Sequence, residues 1–282
     1  MIELRIQAFS GVCNGPGRQI LGLGNDIYQI AVGLLEAEKL DAVKLTVNEA
    51  DELRFKRNNV RGIIELFPSL KNGIYLRDGS VQGSRYGGSI SRHWQMADYD
   101  SSELRRVLLR YFKPHITDHL QHNSRILEDT LVIHLRGGDA LDEWTQNTWR
   151  PSPLGIDFYE EVIRHSGLEK IHIVTTPPKN GTMHPTIEPL RRRYNATIQH
   201  DGILEDFSVL SNCCNLVLDF STFGYTAALM NVNLEKVFIS KFVDKKGVPL
   251  LRDIASDVGF TFPRIGNGSV HVYDLPEHII KT

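Results

Sequence analysis

Short apolar strands and amphipathic helices alternate along the second half of this sequence, and this alternation constrains the fold more than any other feature. Apolar runs predict strands at residues 130–135, 170–175, 215–219 and 236–239. Helical spacing predicts helices at residues 156–165, 186–194, 204–212 and 223–231. Strands that alternate with helices form a parallel sheet with helices on both faces. The sequence therefore predicts an α/β fold.

The first half of the chain carries weaker signals. A glycine-rich turn precedes a helical pattern over residues 24–40, and a strand is predicted at residues 42–47. A further helix is predicted at residues 102–121, broken near Pro114. At 282 residues with 41% hydrophobic content, the chain suits one large or two medium domains. We place a domain break near residues 122–128, which gives an N-terminal domain 1–125 and a C-terminal domain 126–282.

Charge, cysteine content and hydropathy exclude several classes of protein. The net charge of −2 provides no basic field for nucleic acid, so any anion site must be local. Three cysteines, with Cys213 beside Cys214, favour free thiols in a reducing compartment. No apolar run has membrane-spanning length, and no N-terminal targeting segment is evident. We expect a cytoplasmic protein, or a soluble catalytic domain of a longer protein, with no membrane segment in this chain.

The strand at residues 130–135 ends by presenting a cation, in the stretch "TLVIHLRGGDAL". Ligands of open parallel sheets bind beyond the carboxyl ends of the strands, and Arg136 lies just past such an end. Its planar guanidinium matches the geometry of phosphate oxygens, and the glycines Gly137 and Gly138 would let a ligand approach the backbone. The alternative is a surface ion pair with Asp139 or Asp142.

Two further segments suit an anion. In "LVLDFSTFGYTAAL", a strand ends in Ser221, Thr222 and Phe223, and a helix begins at about Gly224. Hydroxyls and free N–H groups at a helix N-terminus can hold an anion, although Ser and Thr are also ordinary N-caps. The turn "LGLGND" has neither the spacing of a dinucleotide fingerprint nor the lysine of a P-loop, which disfavours nicotinamide cofactors and P-loop ATPase chemistry.

Together these segments resemble motifs of the fucosyltransferase superfamily. "GLGNDIYQIAVGLLEAEKL" resembles the Gly-Leu-Gly-Asn-Gln signature of α-1,2-fucosyltransferases and the Gly-Asn-Gln turn of protein O-fucosyltransferases. "HLRGGD" resembles the His-X-Arg-Arg-Gly-Asp motif, and "EDFSVLSNCCNLVLDFSTFGYTAAL" resembles the C-terminal motif. The resemblance implies a GT-B glycosyltransferase with two Rossmann-like lobes and the donor site in the C-terminal lobe. It also implies inverting, metal-independent transfer from GDP-fucose to a glycan or glycoprotein, without a cofactor.

The resemblance assigns roles to individual residues. Arg136 would bind the β-phosphate and neutralise the departing GDP, and His134 would line the nucleotide pocket. Asp206 would accept hydrogen bonds from the guanine N1–H and exocyclic amine. Asn25 would lie across the cleft near the reacting centre. The remaining donor-binding residues would be Gly24, Gly137, Ser221, Thr222 and Phe223.

Two positions depart from the family motifs. Gly137 stands where the family has a second arginine, which removes a cation from the donor pocket. Asp26 stands where the family has glutamine, and it could act as the general base that deprotonates the acceptor hydroxyl. Asp26 could equally be a first-turn acid that the helix dipole favours. Alternatives to fucosyl transfer are a different nucleotide sugar, such as a xylosyl or rhamnosyl donor, and an inactive nucleotide- or glycan-binding relative.

No metal site is expected, because no Asp-X-Asp follows a strand and the histidines lack ligand spacing. The acceptor is not identified. Aromatic residues at 72–102 and beyond the HLRGGD turn could stack on sugar rings or could serve as packing anchors. They are Tyr75, Tyr86, His93, Trp94, Tyr99, Trp144 and Trp149.

Overall fold

A computed structural model describes ten segments of the chain, namely residues 2–7, 23–48, 63–76, 85–89, 101–120, 128–137, 154–176, 183–219, 221–241 and 269–274. The strands are β1 Ile2–Gln7, β2 Lys44–Asn48, β3 Ile74–Tyr75, β4 Arg85–Ser89, β5 Thr130–Leu135, β6 Lys170–Thr175, β7 Thr197–Gln199, β8 Asn215–Leu218, β9 Lys236–Lys241 and β10 Ser269–Asp274. The helices are α1 Leu23–Lys39, α2 Ile63–Leu66, α3 Ser101–Val107, α4 Lys113–Leu120, α5 Ile156–Ser166, α6 Ile187–Tyr194, α7 Ile203–Leu210 and α8 Thr222–Met230.

The second half of the chain forms a six-stranded sheet in the order β10-β9-β8-β5-β6-β7, and every neighbouring pair is parallel. The predicted parallel α/β architecture is confirmed. Strands β5 and β6 have the predicted bounds, β8 ends one residue early, and β9 extends to Lys241. Strands β7 and β10, at the two edges of the sheet, were not predicted.

Side chains of the central strands alternate between two apolar clusters, one on each face of the sheet. On β5, Leu131 and Ile133 pack in a cluster with α5 and α6. Val132 points to the opposite face, in a cluster with α1, α7 and α8. Successive side chains of a strand point to opposite faces, so uninterrupted apolar runs fit strands that are covered on both sides. The prediction of helices on both faces is confirmed.

A smaller sheet in the first half of the chain has the order β3-β2-β1-β4. Strand β1 is parallel to β2 and β4, and β3 is antiparallel to β2. The apolar cluster around α1 also contains residues of α7 and α8, and Arg105 donates to the carbonyl oxygens of Leu229 and Asn231 at 2.5 and 2.9 Å. The predicted boundary between residues 125 and 126 lies outside the described residues.

The predicted break near Pro114 is wrong. Helix α3 continues through a π-helical turn, Leu108–Phe112, into α4. In that turn the N–H of Lys113 bonds to the carbonyl of Leu108, which shifts the hydrogen-bond register by one residue. Pro114 follows this turn directly, as the second residue of α4, and a proline has no N–H to donate within a helix. The π turn therefore accommodates a residue that would otherwise break the helix.

Cys213 and Cys214 are both buried free thiols, and burial raises the pKa of each. Raised thiol pKa values disfavour the reactive thiolate, so these side chains behave as small apolar groups of the core. Within the described segments, no helix combines the length and apolar composition needed to cross a bilayer.

Candidate functional site

Strands β5 and β8 are neighbours in the sheet although they are not consecutive in the chain, and the order of strands reverses between them. From β5 the chain builds β6 and β7 toward one edge, and it then returns to build β8, β9 and β10 on the other side. Crossover helices consequently change faces, which leaves a crevice beyond the carboxyl ends of β5 and β8. Ligands of open α/β sheets bind at such a position. Arg136 follows β5 and Asp219 follows β8, so both residues border this crevice.

A hydrogen bond joins these two strand ends. The backbone N–H of Arg136 donates to Oδ2 of Asp219 at 3.1 Å. Asp219 is only 8% exposed, whereas Arg136 is half-buried. The alternative partners considered for the Arg136 side chain, Asp139 and Asp142, lie outside the described residues. A half-accessible guanidinium at this edge has the charge and planar geometry to bind a diphosphate.

His134 is buried in β5, two residues before Arg136. Burial lowers the pKa of His134 to about 4, with a smaller lowering from Arg136 and an opposing effect of Asp219. The imidazole is therefore neutral at pH 7 and can offer one donor and one acceptor. Its Nδ1 would lie 2.7 Å from a Cβ placed on Gly224, so the glycine allows α8 to approach the imidazole this closely.

Ser221 caps α8 with its own side chain. The N–H of Phe223 donates to Oγ of Ser221 at 3.2 Å, so the N-cap interpretation of Ser221 is confirmed. Thr222 and Phe223 are half-buried at the start of the helix. The Phe223 ring has its centroid 5.9 Å from that of His134 and 5.3 Å from that of Phe207. Phe223 thereby connects the end of β5 with α7.

The first turn of α1 packs directly on the start of α8. A Cβ on Gly24 would lie 2.3 Å from the backbone nitrogen of Phe223 and 2.5 Å from the carbonyl carbon of Thr222. Any larger residue at position 24 would have to displace that backbone. The predicted glycine turn and the predicted C-terminal motif are thus in contact, although they are separated by some two hundred residues of sequence.

The neighbours of Gly24 in α1 contribute less to this arrangement. Asp26 is buried in the first turn, and burial raises its pKa well above the usual value. Among the described residues, no hydrogen bond or ion pair to Asp26 occurs, and none joins it to Arg136. Asn25 lies in the same turn, but its side chain is outside the described part of the structure.

Gly137 is buried against the end of β6. A Cβ at this position would lie 3.1 Å from the carbonyl oxygen of Thr176 and 3.5 Å from Oγ1 of Thr175. The first contact is tighter than most Cβ contacts, so a larger residue at this position would require a small shift of Thr176.

Asp206 lies in α7 and is held by the end of β7. Gln199 donates its side-chain amide to Oδ1 of Asp206 at 3.0 Å, and the backbone N–H of Asp201 also bonds to this carboxylate. Burial raises the pKa of Asp206 to about 6, and the two hydrogen bonds oppose that shift. A carboxylate has about four acceptor positions, so capacity remains for two donors of a ligand. Phe207, the next residue, contacts Phe223 at the start of α8.

Of the buried polar residues near the carboxyl end of the sheet, sequence reasoning identified His134 and missed Tyr159, Thr175 and His184. Among the described residues, four buried side-chain atoms have no hydrogen-bond partner, namely Nδ1 of His134, Nε2 of His184 and the hydroxyls of Tyr159 and Thr175. Thr175 is the last residue of β6 and Tyr159 lies in the first turn of α5, both at the carboxyl edge of the sheet. Nε2 of His184 is 3.9 Å from Oδ2 of Asp219. Buried polar atoms without partners are rare, and their concentration supports a functional site here.

The signals for these residues differ. Asp219 follows the apolar run "LVL", so the same pattern that identified Arg136 could have identified it. Gln199, Tyr159 and His184 occur in unremarkable local sequence, and only the fold brings them to this edge. No group of three or more His, Cys, Asp or Glu in the described segments is placed to bind a metal ion.

The structure therefore brings together Gly24, His134, Arg136 and the start of α8. The Asp206 side chain contacts Gln199 at the end of β7, and no described contact joins it to Arg136. No described contact joins Asp26 to Arg136, and the side chain of Asn25 lies outside the described part of the structure. No protein-family model matches this chain, and no curated protein matches it.

Proposed function

We propose that this protein is an inverting, metal-independent glycosyltransferase that moves fucose from GDP-fucose to a glycan or glycoprotein acceptor. The observation that carries this proposal is the junction of Gly24, His134 and the Ser221–Phe223 turn beside Arg136, at the switch point of a parallel sheet. These are the segments that resemble the fucosyltransferase motifs. The two largely parallel sheets support the further proposal of a two-lobed GT-B arrangement, with the donor held by the six-stranded sheet.

Arg136 would stabilise the leaving group. In an inverting transfer, the acceptor oxygen forms a bond to the anomeric carbon while the bond from that carbon to the β-phosphate oxygen breaks. The electron pair of the broken bond stays on GDP, so negative charge grows on the diphosphate. A guanidinium fixed at the crevice counters this charge without reorganising water around it. Thr222, at the N-terminus of α8, would offer its hydroxyl to the same diphosphate, because helix N-termini favour anions. The N–H of Phe223 is already bonded to Ser221, so Phe223 would contribute its ring rather than its backbone to the pocket.

Asp206 would recognise the base. Its carboxylate would accept hydrogen bonds from N1–H and the exocyclic amine of guanine, a pair of donors that adenine and uracil do not present. Gln199 would orient the carboxylate by donating to Oδ1, which directs the remaining acceptor positions toward a ligand. His134 would remain neutral at the diphosphate side of the pocket, since burial keeps its pKa at about 4.

Asp26 is the candidate for the general base. The acceptor hydroxyl must lose its proton as it attacks, and a carboxylate with a raised pKa accepts a proton more readily than an ordinary one. Asn25 would lie near the reacting centre from the same turn of α1. The alternative role for Asp26 is that of a buried first-turn acid with no part in the chemistry.

A thermal-shift experiment with GDP, UDP and ADP tests the donor class first. A ligand that binds the folded state raises the melting temperature, and we expect GDP to do so most strongly. Stabilisation by UDP or ADP alone would favour the alternative of another nucleotide sugar. Labelled GDP-fucose with a panel of oligosaccharide and peptide acceptors then tests transfer. GDP binding without transfer to any acceptor would favour the alternative of an inactive nucleotide-binding relative, for which Gly137 in place of the second arginine is the supporting observation.

A further inference from the structure

Arg136 lies just beyond the hydrogen-bond ladders that fix β5. Pairing between β5 and β8 ends at His134 and Leu218, and pairing between β5 and β6 ends at Leu135 and Thr175. Strand ends open more readily than strand interiors, because fewer neighbouring contacts hold them. The direction of the Arg136 side chain therefore depends on other contacts.

The carboxylate of Asp219 supplies such a contact. Its Oδ2 accepts the N–H of Arg136 at 3.1 Å, which continues the connection between β5 and β8 by one side chain. A hydrogen bond to a charged acceptor is stronger than one between neutral groups. Asp219 is buried, so this bond is protected from competition with water.

His184 also lies near this carboxylate oxygen. The N–H of Thr186 donates to Nδ1 of His184 at 3.4 Å, and the Thr186 hydroxyl lies 2.7 Å from that atom. Nδ1 is therefore the acceptor of the neutral ring, and the proton resides on Nε2, 3.9 Å from Oδ2 of Asp219. Burial lowers the pKa of His184, with an opposing effect of Asp219, which keeps the ring neutral at pH 7.

A carboxylate at this position requires an explanation. Its negative charge would repel a diphosphate bound by Arg136, so an anion site gains nothing from its charge. Its hydrogen bond with the N–H of Arg136 offers a benefit that does not depend on attraction to the ligand. We propose that Asp219 is a positioning residue that fixes the backbone of Arg136 and thereby aims its guanidinium at an anionic diphosphate in the crevice. This inference rests on the proposed function, because it concerns the same diphosphate site.

Binding of inorganic pyrophosphate and of GDP, measured by calorimetry, tests the role of Asp219. Asp219→Ala removes the acceptor and should weaken both affinities by about tenfold or more, as expected for the loss of a hydrogen bond to a charged group. Asp219→Asn keeps a carbonyl oxygen and removes the charge, so it should recover most of the lost affinity. Hydrogen exchange of the Arg136 amide should accelerate in the Ala variant and remain slow in the Asn variant.

Asn215→Ala is the matched control. Asn215 is a buried polar residue at the opposite end of β8, where its side chain donates to the carbonyl oxygen of Glu128 at 3.0 Å. Its replacement should lower thermal stability and leave pyrophosphate affinity unchanged. Equal affinity of the wild-type protein and a folded Asp219→Ala variant would overturn the positioning role. Loss of affinity in Asp219→Asn equal to that in Asp219→Ala would also overturn it, since the charge would then be the important property.

Asp219→Glu covers the case in which the Ala variant does not fold. The longer side chain keeps the charge but displaces the acceptor, so it should weaken pyrophosphate binding, and wild-type affinity would contradict the inference. Arg136→Ala separates this inference from the proposed function. If Arg136→Ala abolishes pyrophosphate binding and folded Asp219 variants do not weaken it, only the positioning role fails. If Arg136→Ala has no effect, or the wild-type protein binds neither ligand, the anion site fails and the positioning role fails with it.

Discussion

The two ends of the six-stranded sheet treat buried polar groups in opposite ways. At the amino end, the Asn215 side chain donates to the carbonyl oxygen of Glu128, and the Thr130 hydroxyl donates to Oδ1 of Asp129 at 3.2 Å. At the carboxyl end, the described residues include four buried polar atoms that have no partner, and a buried carboxylate, Asp219, lies beside a cation.

This difference indicates that polar groups at the amino end of the sheet stabilise the fold, whereas those at the carboxyl end serve a function. Satisfied polar groups at the amino end fix strand ends at little cost, whereas unsatisfied buried groups at the carboxyl end cost free energy. A folded protein retains such a cost most readily where a ligand or a reaction needs the groups. The carboxyl end is also where the topology of the sheet places a crevice.

The strongest test of the contrast is Arg136→Lys. Lysine keeps the charge but lacks the planar fork for phosphate, and Gly137 leaves no neighbouring guanidinium to compensate. We expect kcat for fucosyl transfer to fall about 100–1,000-fold, nearly as much as in Arg136→Ala, because the lost interaction strengthens as GDP departs. Steady-state kinetics with a circular dichroism control would measure this. A folded Lys variant with near-normal kcat would remove Arg136 from the catalytic residues.

Asp206→Ala should have the next largest effect. Loss of hydrogen bonds to a carboxylate should weaken GDP binding by about 10–100-fold, while ADP binding stays weak and unaltered. Asp157→Ala is the matched control, because Asp157 is an exposed acid in the first turn of α5. If Asp206 is only a helix-terminal acid, calorimetry would find the same GDP affinity in both variants, with a small loss of thermal stability.

The pH dependence of GDP binding should follow Asp206. Its folded pKa of about 6 lies above the usual 3.8, so protonation stabilises the folded protein below about pH 4, and this contribution is lost as the pH rises through about 6. Guanine recognition needs the carboxylate, so GDP affinity relative to ADP should rise about tenfold from pH 5 to pH 7. ADP controls for titration of the diphosphate. A ratio of affinities that does not change with pH, or that changes equally in Asp206→Asn, would exclude Asp206 from base recognition.

Chelation should have the smallest effect. Arg136 is proposed to counter the charge on the leaving group, a task that a divalent cation performs in other glycosyltransferases. Transfer should therefore continue at an unchanged rate in EDTA. Loss of activity that Mg²⁺ or Mn²⁺ restores would show that a metal ion takes part in the reaction.

Much of the sheet could be predicted from sequence because its central strands are continuous apolar runs. Strands β5 and β6, buried on both faces, have the predicted bounds. Strand β7 has only three residues, one exposed and two partly buried, so it has too few apolar positions to show a period. The break at Pro114 was predicted from the rule that proline interrupts a helix, but the π turn before Pro114 lets the helix continue. Local sequence pattern thus predicts strands that are buried along their whole length. It fails for a very short edge strand and where a neighbouring turn changes the backbone hydrogen bonds.

Some residues of the candidate site could likewise be predicted from sequence, and others could not. Arg136 and Ser221 lie at ends of apolar runs, where sequence alone signals a change from core to surface. His184 and Tyr159 reach the crevice only because α5 and the segment before α6 pack against β5 and β8. Gly24 was predicted as part of a turn, but its contact with the backbone of Phe223 depends on the packing of α1 against α8. Such long-range contacts leave no periodic signal in the sequence.

The central claim is that the carboxyl end of the sheet binds the diphosphate of GDP through Arg136, while the amino end serves stability alone. Calorimetric titration of GDP into the wild-type protein, Arg136→Ala and Asn215→Ala, at a temperature where all three are folded, tests it most directly. We predict equal affinity for the wild-type protein and Asn215→Ala, and a loss of about 100-fold or more for Arg136→Ala, as for a bidentate charged contact. Equal GDP affinity in all three proteins, or no binding to the wild-type protein, would contradict the claim.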